Sequence, residues 1–287
     1  MKSLIFILTV IINVQAESHI FHKRNVDLRT EIYGMKTNAI LFHTNLHCVF
    51  FIHFMPSIIF NIVPTLILYE KLNHRNIGLT NYWPIENSQA MDVVGAKDLY
   101  EPINCLFSND RFGTNASALS FNNGFMKAPS GDYLGGNEFT VLAWVKLREY
   151  LTWQRLLDFS NGGFKNNIYV SLSNSQKMIR FMIANNNVES EYDVISSVLT
   201  LNIWYHLGIT LNQGLMSIYV DGNLKNSKLT ENLSLSTVDY KEYCFIGKSV
   251  FGHDPNGNFE CDDIKFFNKA LTDAEIDKLP TRINLMD

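Results

Sequence analysis

The sequence has no basic run and little charge imbalance: 24 Lys and Arg stand against 28 Asp and Glu, a formal net charge of -4 at pH 7. That argues against an electrostatic grip on nucleic acid. Its four cysteines, Cys48, Cys105, Cys244 and Cys261, have no zinc-motif spacing. Its histidines are not grouped with a serine and an acid in a way that suggests nucleophilic catalysis. The polar loop from His253 to Asn258 lacks the acid spacing of an EF-hand and reads as a surface turn. What the chain has is apolar mass, 46% hydrophobic and 13% aromatic. At 287 residues it accommodates one all-β domain of about 200 residues preceded by a leader.

The leader contains two apolar segments. Residues 1–16 carry Lys2, an apolar run from Leu4 to Val14, and Ala16 at a cleavage-like position, the pattern of a secretory signal peptide. Residues 17–78 are irregular, and within them Val49 to Tyr69 is long enough to cross a bilayer as a helix, although His53, Pro56, Asn61 and Pro64 weaken it. Three readings stand side by side: a cleaved signal and a secreted domain, a membrane anchor with the C-terminal domain outside, and a gene-model artefact. The triplets Asn115-Ala-Ser117 and Asn232-Leu-Ser234 are glycosylation acceptors that agree with an extracellular address. In a secreted chain Cys105, Cys244 and Cys261 are disulfide candidates, with one bridge and leftover thiols expected rather than two bridges.

From Leu79 the texture becomes regular, with short apolar runs between Asn, Gly, Asp and Ser clusters, as in an antiparallel sandwich. Phe139 to Leu147 is apolar on both faces and reads as a central strand. Asn109 to Gly113 and Asn122 to Gly124 read as turns, and Asp221-Gly222 is the clearest hairpin signal. Thr272 and Glu275 form a capping box, Leu271 and Ile276 a hydrophobic staple, and Pro280 a stop for a short C-terminal helix. Residues 281–287 are a tail.

Six segments, TNYWPIEN, DRFGTNASALSFNNG, FTVLAWVKL, NIWYHLGITLN with MSIYVDGNLKNS, YCFIGKS and CDDIKFFNKALTDAEI, together resemble the laminin G-like jelly rolls of the concanavalin A-like lectin and glucanase superfamily. The resemblance covers residues 79–280. It implies an all-β fold of two packed antiparallel sheets, a glycan or extracellular protein as partner, and in many members a structural calcium ion. Asp92, Asp262 and Asp263 match the acids from which such an ion would be held. Hydrolases of the superfamily place three acids on one strand; here Glu191, Asp193 and Ser196 follow that spacing, but serine cannot serve as the last acid, so no catalytic residue is assigned. For a binding module, Trp153, Tyr150, Tyr192 and Phe251 are the loop aromatics able to stack on sugars, while Trp83, Trp144 and Trp204 are expected in the core.

Overall fold

The computed structural model describes residues 78–134, 136–184, 192–230, 233 and 240–278. The signal-like run, the apolar stretch 49–69, Cys48, Glu191, Asn232, Pro280 and the tail lie outside the described residues. In chain order the strands are β1 (Leu79–Trp83), β2 (Tyr100–Ser108), β3 (Ala118–Lys127), β4 (Gly131–Asp132), β5 (Glu138–Leu147), β6 (Gln154–Ser160), β7 (Asn167–Ser173) and β8 (Ile179–Ala184). They continue with β9 (Tyr192–Ser196), β10 (Trp204–Asn212), β11 (Leu215–Val220), β12 (Asn223–Leu229), β13 (Tyr240–Lys241), β14 (Tyr243–Ile246) and β15 (Phe259–Phe267), and end in the helix α1 (Asp273–Lys278).

Among the described residues every strand pairing is antiparallel. A continuous path runs β12-β11-β10-β5-β15-β3-β14-β6-β7-β8-β9, with β1 added to β15, β2 added to β3, and a separate pair β13-β4. Where two separate sheets are expected, β3 joins both halves: Leu119 and Ser120 pair with β15, while Met126 and Lys127 pair with β14. The path folds back so that Val141, Val145 and Ile209 from one half share a core with Leu157, Val170 and Phe181 from the other.

β5 explains this from its residues. Phe139, Val141, Ala143, Val145 and Leu147 point into that core, because alternate side chains of a strand share a face. On the opposite face Leu142 lies beneath α1 with Tyr219, Phe267, Leu271 and Ile276. A Cβ on Gly208 would come within 3.0 Å of Leu142 and 3.6 Å of Ile276, so glycine leaves the helix room to settle. The helix opens as expected: the Thr272 amide donates to Glu275 Oε2 at 2.8 Å and the Glu275 amide to Thr272 Oγ1 at 3.3 Å. Asp221 and Gly222 both adopt positive φ, 52° and 74°, as a tight hairpin between β11 and β12 requires.

Several expectations are corrected. Tyr100 to Ser108, unassigned in the sequence, is an edge strand whose side chains are mostly exposed. Asn122 to Gly124 does not reverse the chain; β3 continues through it, with Asn123 at φ 53° absorbing the irregularity. Trp83 is fully buried, but Trp144 and Trp204 sit on the outward faces of β5 and β10 and are only partly covered. The three described cysteines are free thiols. Cys105 and Cys261 flank β3 on opposite sides, opposite Phe121 and Leu119 respectively. Two strand spacings, about 9–10 Å, separate them, beyond the span of a disulfide.

Candidate functional site

The outward face of β6, β7, β8 and β9 carries a connected cluster of charged and aromatic groups. In β7, Ile168, Val170 and Leu172 enter the core, so Asn167, Tyr169, Ser171 and Ser173 point outward. Register places Asp158, Tyr169, Met182 and Asp193 in one row across the four strands. A shift between Arg155 and Leu157 brings Arg155 beside Ser171, which pairs in turn with Arg180.

The cations bind this face together. Arg155 Nη2 donates to Asp254 Oδ2 at 2.9 Å, its Nε lies 3.6 Å from Asp158 Oδ2, and its guanidinium sits 3.9 Å above the Tyr169 ring. Arg180 donates from Nη1 to the Tyr169 hydroxyl at 3.0 Å and from Nε to Asp193 Oδ2 at 2.9 Å, with the Trp153 ring 5.5 Å away. Lys228 reaches Asp193 Oδ1 from β12 at 3.4 Å. Asp158 is sealed from solvent, and that burial pushes its carboxyl up to about 6 against the pull of Arg155.

Asp158 also anchors a loop. Its Oδ2 accepts the Val250 amide at 3.1 Å, and Ser249 Oγ reaches both Asp254 Oδ2 at 2.8 Å and Asp158 Oδ2 at 3.4 Å. The same loop carries Phe251, whose ring meets Phe164 at 4.6 Å. Trp153 and Phe251 therefore border one network from its two ends. Trp153 holds a positive φ of 71°, a costly conformation for a bulky residue, with its amide donating to Ser173 O at 2.7 Å.

The other two loop aromatics go elsewhere. Tyr192 packs against the core, and Tyr150 donates its hydroxyl to the Leu199 carbonyl at 2.7 Å with Lys177 over its ring. Asn115 is exposed in the segment between β2 and β3. Of the acid pattern, Asp193 is held by Arg180, and Ser196 is buried beyond it. Arg155, Tyr169, Arg180 and Phe164 escaped the sequence reading. Their one signal is the polar alternation Asn167-Tyr169-Ser171-Ser173 between apolar residues; the register that assembles them with Arg155 and Arg180 is not written in any single segment.

The acids matched to a calcium ion lie together near β1 but are already engaged. Asp92 Oδ1 accepts the amides of Tyr82, Val94 and Gly95, and Oδ2 accepts Asn81 Nδ2 and the Lys97 amide. Tyr82 also donates its hydroxyl to Asp263 Oδ1, so Asp92 and Asp263 bond to opposite ends of one tyrosine. Asp262 and Asp263 each accept from Arg111 at 2.8 Å. These residues do not present the converging free oxygens that calcium requires.

A laminin G-type family model, described as the concanavalin A-like lectin/glucanases superfamily, matches residues 121–277. No curated protein matches the chain. Among solved structures, domain 4 of AbnA, an extracellular arabinanase from Geobacillus stearothermophilus solved with arabinotriose, is 17% identical with a TM-score of 0.55; the match covers 71% of this chain and 98% of that domain. The binding domain of Paraclostridial Mosquitocidal Protein 1 is 17% identical, TM-score 0.51, over 70% of this chain and 51% of the other. Trypanosoma rangeli sialidase is 19% identical, TM-score 0.52, over 70% of this chain and 32% of the enzyme. At these identities the likeness is one of fold.

Proposed function

Because the chain belongs to the concanavalin A-like lectin/glucanases superfamily, we propose that it is a non-catalytic, extracellular carbohydrate-binding module built as a two-layer jelly roll. The sugar chain lies along the rim of the β6 to β9 face. One observation carries the reading: the loop rings Trp153 and Phe251 border a single charged network, whose buried Arg180 holds the partly exposed Asp193. Rings offer stacking surfaces to pyranose or furanose faces, and charged groups bond hydroxyls and set orientation.

The acids of this face are placed for structure rather than for hydrolysis. A retaining hydrolase needs two carboxylates about 5 Å apart that both reach the substrate. Asp158 and Asp254 share Ser249 and Arg155, but Asp158 is fully buried; Asp193 is committed to Arg180 and Lys228. Arabino-oligosaccharides head the ligand panel, since the AbnA domain was solved with arabinotriose.

A glycan array followed by titration calorimetry tests this. Trp153→Ala and Phe251→Ala should each weaken binding about tenfold or more, the loss of one stacking contact, while the melting temperature stays near that of the parent. Release of reducing sugar from any bound glycan defeats the non-catalytic reading. A blank array defeats the glycan reading and leaves a protein-binding or structural ectodomain.

A further inference from the structure

The turn before β3 aims one side chain at β15. Asp110 closes it: its Oδ1 accepts the amides of Phe112 at 2.9 Å and Thr114 at 2.7 Å, and its carbonyl accepts the Gly113 amide at 3.1 Å. Arg111 then runs inward until its side chain is only 5% exposed. Its guanidinium lies 4.4 Å from the rings of both Phe112 and Trp144.

Neighbouring residues of a regular strand point to opposite faces, yet Arg111 reaches Asp262 and Asp263 together. The register of β15 against β5 shifts between Asp262 and Lys265, and Asp263 takes a φ of 50°, which turns both carboxylates toward one fork. Their other oxygens are used as well: Asp263 Oδ1 accepts the Tyr82 hydroxyl, and Asp262 Oδ1 accepts the Asp263 amide at 2.7 Å. Lys265 adds a second positive group, 4.7 Å over the Tyr82 ring.

We infer that Arg111 is the resident counter-cation of this cluster, standing between Asp262 and Asp263 where a divalent ion would otherwise be needed, so that the fold is independent of calcium. Two adjacent buried carboxylates require positive charge, and a planar guanidinium meets both at once. A calcium ion would have to displace it and strip amide donors from Asp92. This inference does not rest on the glycan reading, and it concerns stability rather than binding.

Thermal unfolding of the full chain, followed by circular dichroism in millimolar calcium and in chelator, is the test. The parent should melt within about 1 °C in the two buffers; a clearly higher temperature in calcium overturns the inference. Arg111→Ala should melt about 10 °C lower in chelator, because two buried charges lose their partner. It should then regain several degrees in calcium, and Arg111→Ala combined with Asp262→Asn and Asp263→Asn should lose that response. Where Arg111→Ala does not fold, Arg111→Lys takes its place, with a smaller drop and a smaller calcium gain expected. A variant that melts like the parent, or that calcium leaves unchanged, counts against the assignment.

Discussion

Arg111 and Arg155 are each laid against an aromatic ring and each bridge two aspartates, yet the acids they join have different origins. Asp262 and Asp263 are consecutive residues of β15, tied to β1 through Tyr82. Asp158 belongs to β6 and Asp254 to the loop that carries Phe251. The first arginine therefore knits framework to framework, and the second fastens a loop to the framework. The electrostatics differ too. Asp158, with its carboxyl raised to about 6 by burial, can shed its charge by taking a proton near neutral pH.

The largest contrast should appear when each arginine is removed. Arg111→Ala should cost about 4 kcal/mol at pH 7, the scale for breaking a buried pair from one side. Arg155→Ala should cost about 2 kcal/mol at pH 7, because Asp158 can neutralise itself, and less still at pH 5, where protonation is easier. Urea unfolding at the two pH values measures both. Equal losses, with no pH dependence for Arg155→Ala, would erase the distinction between the two clusters.

How much of this was legible depends on whether a residue's partners lie nearby in sequence. The two-sided apolar run of β5, the Asp221-Gly222 hairpin and the Thr272 to Glu275 capping box are local patterns, and the structure contains all of them. β2 was hidden because Tyr100 to Ser108 is an exposed edge with Pro102 and no apolar face to betray a period. Trp144 shows another limit. Alternation put it on the face opposite Val145, but only the packed structure shows that this face meets Arg111 and His206 rather than the core. Trp153 and Phe251 could be picked out as loop rings, whereas Arg155, Tyr169 and Arg180 depend on register between strands, which a single sequence does not state.

A middle-sized contrast lies in the response to acid, since the two regions titrate with opposite signs. His206, stacked on Trp144 at 5.3 Å, is pushed down to about 3 by burial and by the nearby Lys265 and Arg111. A depressed histidine favours the fold above pH 6.5, and that contribution is lost as pH falls and the unfolded chain takes up the proton. Asp158 runs the other way. Raised from 3.8 to about 6, it favours the fold at low pH, and that contribution is lost as pH rises through about 6. His206→Phe, which keeps a ring without a titrating group, should lose about 2 kcal/mol less than the parent between pH 7 and 5. Asp158→Asn should lose about 2 kcal/mol more than the parent between pH 6 and 4. Urea unfolding across pH 4 to 7 gives the slopes, and parallel curves for all three proteins would remove the assignment of opposite signs.

The smallest effect separates burial from charge within one carboxylate. Asp193 accepts from Arg180 Nε at 2.9 Å and from Lys228 Nζ at 3.4 Å, but the arginine side chain is 9% exposed and the lysine side chain 55%. Water and salt screen the second contact, and a long flexible side chain loses entropy in making it. Lys228→Ala should therefore change the unfolding free energy by less than about 0.5 kcal/mol, and raising the salt concentration should alter parent and variant alike. A loss of more than about 1 kcal/mol would mean that β12 clamps β9 through this pair. Asp193 would then be a third charged clamp beside those of Arg111 and Arg155, and exposure would no longer distinguish the contacts that hold the fold from those that merely lie on it.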